Sequence, residues 1–185
     1  MLRSLPDDLD PTTAQGWIEN QEALHKALRE ALVPRATTLP PKSKPPAYPA
    51  SNEIFSLTIT KSFDGFEMLL DDGFKNWHAW RFTGGTITAP QTKCFKLVSI
   101  GYQPDFEAVK RELEKHGRIP QGQWRKAFKK AFPQTDGSRI FVADPAWVDP
   151  HGLVHFPCVL DNGDEEFYRV DRDLGSNCRW LVEVA

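Results

Sequence analysis

From Glu53 onward the chain alternates polar and apolar positions with a period of two. In EIFSLTIT, Phe55, Leu57 and Ile59 alternate with Ile54, Ser56, Thr58 and Thr60, a β-branched-rich pattern that predicts a strand. GFEMLLDDGF is a short apolar run closed by the turn signal Asp72-Gly73. NWHAWRF, ended by Gly84-Gly85, reads as an aromatic strand. TKCFKLVSIGY, Thr92 to Tyr102, predicts another, and RIFVAD a further one. GLVHFPCVL and EFYRV flank Asp161-Asn162-Gly163, residues that tolerate positive φ, so they read as a hairpin. Pro157 lacks a backbone donor and is expected at a sheet edge. In CRWLVEV, Cys178, Trp180, Val182 and Val184 alternate with Arg179, Leu181 and Glu183, which predicts one buried face.

Between these strands the period changes to that of a helix. Asp105 caps DFEAVKRELEKHG, with Phe106, Val109 and Leu113 on one face and Gly117 as the stop. Pro120 opens a second helix in which Trp124, Phe128, Ala131 and Phe132 face inward, and Pro133 closes it. So few residues separate the two that they are expected to form a tight helical hairpin.

The N-terminal part is different. Asp10-Pro11 suits a helix start, and Trp17, Leu24, Leu28, Ala31 and Leu32 make one apolar stripe as far as Pro34. PRATTLPPKSKPPAYPASN then holds six prolines in nineteen residues, which sustain neither helix nor central strand and read as a semi-rigid spacer. The expected organisation is a helical segment 1–33, a Pro-rich linker 34–52 and a globular domain 53–185. The fold class is α+β, a mostly antiparallel sheet with an inserted two-helix hairpin.

Composition refines this picture in two respects. Six Trp and twelve Phe supply a substantial core. The net charge of −2 is unevenly distributed. Lys110 to Lys130 carries eight cations against two carboxylates, whereas 134–185 carries ten carboxylates against four arginines. The two segments are expected to face each other, unless the basic one serves an anionic partner. Cys94, Cys158 and Cys178 are odd in number and contain no CxxC pair, which suits a reduced, cytoplasmic protein. No secretory leader and no membrane-spanning apolar run is visible.

Candidate chemistry is sparse. Arg118, Arg125, Lys126, Lys129 and Lys130, flanked by Lys110, Arg111 and Lys115, form a basic patch suited to phosphates rather than base edges. In DPHGLVHFPC, His151, His155 and Cys158 are metal-ligand types, but on a strand Cys158 points away from the two histidines and no fourth ligand stands at diagnostic spacing. The acids 161–166 read as a hairpin tip and match no calcium loop. There is no G-x-S-x-G, P-loop or G-x-G-x-x-G motif, and Cys94 is expected to be a buried thiol. On a strand Trp77 and Trp80 lie on opposite faces. Core packing is expected for them, and an exposed ring beside Arg81 would instead mark a binding surface.

The leading functional expectation is a non-enzymatic binding or regulatory module without cofactor. It engages a protein partner, or a second copy, through Trp17, Leu24, Leu28 and Leu32, because an amphipathic helix cannot cover its stripe alone. The alternative is a nucleic-acid accessory protein using the basic hairpin 105–132. A metal-dependent hydrolase around His151 and His155 is the weakest reading.

Overall fold

The computed structural model describes residues 47–172, 174 and 178–184, together with Asn20, Glu22, His25 and Lys26. The chain divides into two compact units, Met1–Lys44 and Pro45–Ala185. In the first, Glu22, His25 and Lys26 are helical and exposed. The stripe residues Trp17, Leu24, Leu28 and Leu32, and most of the Pro-rich segment, lie outside the described residues.

The second unit contains eight described strands. They are β1 (Ile54–Ile59), β2 (Arg81–Phe82), β3 (Gln91–Val98), β4 (Arg139–Phe141), β5 (Trp147–Val148), β6 (Val154–Val159), β7 (Glu165–Arg169) and β8 (Cys178–Val184). They hydrogen-bond in the order β1-β3-β8-β4-β6-β5-β2, with β7 on the other side of β6. Only β4 and β8 run parallel; the other pairings are antiparallel. Three helices, α1 (Gly65–Asp71), α2 (Phe106–Glu114) and α3 (Trp124–Ala131), complete an α+β architecture.

Side-chain alternation along the strands separates two core layers. Leu57, Phe95, Leu97, Ile140 and Leu181 pack with Trp124 and Phe128 of α3. Phe141, Phe156, Trp180 and Val182, from the intervening positions, pack with Phe106, Val109 and Leu113 of α2. A third cluster joins Met68 and Leu69 of α1 to Trp80, Trp147 and Phe167. Burial of this many large side chains is the main stabilising term, on the order of 1.5–3 kcal/mol for each fully buried one.

The two helices read as a hairpin therefore lie on opposite faces of the sheet. The chain crosses at Gly117-Arg118. Arg118 N–H donates to Glu183 O and its carbonyl accepts from Glu183 N–H, both at 2.9 Å, beyond the point where β4 stops pairing with β8. A side chain at Gly117 would put Cβ 2.4 Å from Glu183 O, so only glycine passes this close to the β8 backbone. Asp105 caps α2 as expected, its carboxylate accepting from Ala108 N–H at 2.7 Å.

Other local expectations need correction. The apolar run 65–71 is helix α1, capped by the Asp64 carboxylate on Phe66 and Glu67 N–H. The aromatic segment is a short 3-10 turn, Trp77–Ala79, with only Arg81–Phe82 extended; Trp80 is buried and Trp77 half-buried against Phe66. Pro157 is internal: β6 is flanked on both sides, and the Pro157 carbonyl accepts from Val142 N–H. Its nitrogen faces the same way, where the neighbouring chain leaves β4 for β5, so no donor is missed. Cys94 is exposed, because Phe95 and Leu97 take the inward phase. The globular unit also begins before residue 53. Tyr48 is buried edge-on against Phe128, and Arg179 lies over its ring while donating to Pro49 O.

Candidate functional site

The basic residues of the sequence reading do not form one surface. Arg125, expected on the solvent face of α3, is fully buried. Its guanidinium donates to Asp72 at 2.5 Å and to Glu166 O at 2.8 Å, lies over the Phe167 ring, and stands 3.5 Å from Glu165. Lys126 joins the same network through Asp72 at 2.7 Å and Glu165 at 3.5 Å. Here the basic and acidic segments meet, through Glu165. Lys129 reaches Pro133 O, and Lys130 is exposed. On the opposite face of the sheet Lys110 pairs with Glu107 and Lys115 with Glu112, while Arg118 is exposed at the crossing.

The 149–158 constellation is also spent on structure. Asp149 makes a tight turn, accepting from His151 and Leu153 N–H at 2.9 Å each. His155 is buried, its Nε2 3.2 Å from Asp149 and its Nδ1 3.2 Å from Phe167 O, so both ring nitrogens are engaged. Burial pushes the Asp149 carboxyl up, but the turn N–H groups and the His155 ring outweigh it and hold the acid below its usual range. His151 is exposed, and burial pushes the Cys158 thiol up to about 12, far from a reactive thiolate. Among the described residues no three His, Cys, Asp or Glu side chains converge as metal ligands would.

Two clefts flank Arg172. One of about 250 Å³ runs past His155, Tyr168 and Arg169, and one of about 370 Å³ past Tyr102, Asp105 and Leu174. The acids at the second are already bonded: Asp105 caps α2 and Asp171 holds Arg169 at 2.5 Å.

The surface left available is the outer edge of β1. Among the described residues no strand and no backbone hydrogen bond occupies that side. Half of the N–H and C=O groups of the strand therefore point outward, a ready template for another strand. The remaining sheet margins are blunted: β2 has two residues, one of them Arg81, and β7 carries Glu165, Glu166 and Arg169. β1 has six residues without charge or proline. Leu57 and Ile59 are buried beneath it, Phe55 is half-buried against Phe95, Phe128 and Phe132, and Ile54 is 64% exposed. Charge lies only at its two ends. Glu53 is exposed at one; Lys61 and Lys130 line a cleft of about 140 Å³ at the other. Of these residues the sequence reading placed 54–60 on a strand. The missed signal was the contrast between an uncharged β-branched run and its charged flanks.

No helix among the described residues is long and apolar enough to cross a membrane. Comparison of the chain with protein-family models, with curated proteins and with solved structures finds no match.

Proposed function

We propose that the chain is a non-enzymatic binding module that takes up a protein strand at the outer edge of β1, from a partner chain or from a second copy. The observation that carries this reading is the unblunted edge: six uncharged residues, open on one side among the described residues. Added strands gain main-chain hydrogen bonds, while alternate side chains meet the flanking surface and give selectivity. The N-terminal stripe of Trp17, Leu24, Leu28 and Leu32 supplies a second contact, and the cytoplasm suits an odd number of cysteines without a CxxC pair.

Capture from a native extract, with and without nuclease, tests the reading. Full-length protein is compared with a Ser56→Lys, Thr58→Lys variant, in which two exposed side chains of the edge strand become cations. Partners that survive nuclease and are lost with the variant support it. Partners lost with nuclease, or retained by the variant, overturn it, the former in favour of the nucleic-acid reading.

A further inference from the structure

We infer that the strand taken up at β1 is β1 of a second copy, paired antiparallel about a two-fold axis centred on Leu57; this rests on the strand-addition reading and names its occupant. The argument is one of register. In a self-paired antiparallel strand each residue meets the one equally far on the other side of the axis. With the axis at Leu57, Phe55 faces Ile59 of the second copy, Leu57 faces Leu57, Ser56 faces Thr58 and Ile54 faces Thr60. Inward apolar positions then meet apolar positions and extend the core layer under α3, which already holds Leu57 and Ile59. Outward positions join hydroxyls to each other and cover Ile54, exposed at 64% in the single chain.

The charged ends select this register among its neighbours. Just outside β1, Glu53, one residue before its start, and Lys61, at the bend two residues past its end, fall opposite each other in the second copy, twice by symmetry. Glu53 is exposed, and although one carboxylate oxygen accepts from Ala50 N–H at 2.8 Å, a carboxylate has lone pairs left for a cation; the Lys61 side chain is 84% exposed and, among the described residues, meets only Glu67 at 3.7 Å, so the two can pair. Lys130, on the rim of the same cleft, adds to the positive field that Glu53 meets. Moving the axis to Ser56 sets Glu53 against Ile59, and moving it to Thr58 sets Lys61 against Phe55. Each of these opposes a charge to an apolar residue, so electrostatics fixes the pairing that also satisfies the core.

Sedimentation equilibrium of the full chain across a dilution series is the test. A monomer–dimer equilibrium is expected. Glu53→Lys and Lys61→Glu each replace two symmetry-related attractions by repulsions and raise the dimer Kd about tenfold. The double variant Glu53→Lys, Lys61→Glu restores the pairs with reversed sign and returns Kd to within about threefold of the original. That rescue also controls for folding, since both side chains are exposed. A dimer indifferent to the single swaps, or singles that are not rescued, overturns the inference. A monomer at every concentration overturns it too, and is distinct from failure of strand addition itself if extract partners remain sensitive to Ser56→Lys, Thr58→Lys.

Discussion

Asp144 shows how one side chain's surroundings set a stability term. It sits in the crossing from β4 to β5 and accepts from Gly122 N–H at 2.7 Å. Burial raises its pKa above the ordinary carboxylate value, and the single N–H offsets this only in part. A raised folded pKa means that the folded state holds the proton more tightly than the unfolded chain. Stability therefore falls as pH rises from the ordinary aspartate value, near 3.9, to the raised one, and the deficit persists at neutral pH. Asp144→Asn keeps an acceptor for Gly122 and removes the charge. The variant should melt higher than the parent at pH 7, with the gap closing as pH falls below the usual aspartate range. Melting curves by circular dichroism across that range check this. Asp149 contributes in the opposite sense, its lowered pKa giving stability that is lost only as pH falls through it.

Among the helices, α3 depends most on one residue. Arg125 ties it at once to α1 through Asp72, and to β6 and β7 through the Cys158 and Glu166 carbonyls. Both charged groups of the Arg125–Asp72 pair are at most 1% exposed. Removing one partner strands the other, so Arg125→Ala should cost about 3–5 kcal/mol in urea unfolding. Lys126→Ala, from a partly exposed position in the same network, should cost about 0–1 kcal/mol. The sequence could not assign these roles. Arg125 and Lys126 are adjacent cations in a helix whose apolar stripe is plain, and which of them turns inward depends on an aspartate more than fifty residues earlier. Elements with a strong period of their own were legible: β1, β3, β8, α2, α3 and the Asp105 cap. Elements defined by distant neighbours were not. α1 is too short to show a period, residues 76–82 are shaped by ring packing, and Pro157 is tolerated only because β4 ends beside it.

For the whole molecule the decisive fact is that α2 and α3 cover opposite faces, with the backbone passing between them at Gly117-Arg118. Net charge counted along the chain thus overstates charge gathered in space. Eight cations on one face would give duplex DNA binding a log–log salt slope of about −7, whereas the separated arrangement leaves α3 two lysines, Lys129 and Lys130, with no carboxylate in ion-pair distance among the described residues, for a slope of about −2. Fluorescence anisotropy with a labelled duplex between low and moderate salt measures it directly. A slope near −2 or weaker is expected, with Lys129→Glu, Lys130→Glu removing what binding remains. A slope approaching −7 would mean that cations from both faces reach the duplex together, which requires nucleic acid to wrap the sheet margin near Arg118, and would shift the functional reading away from β1.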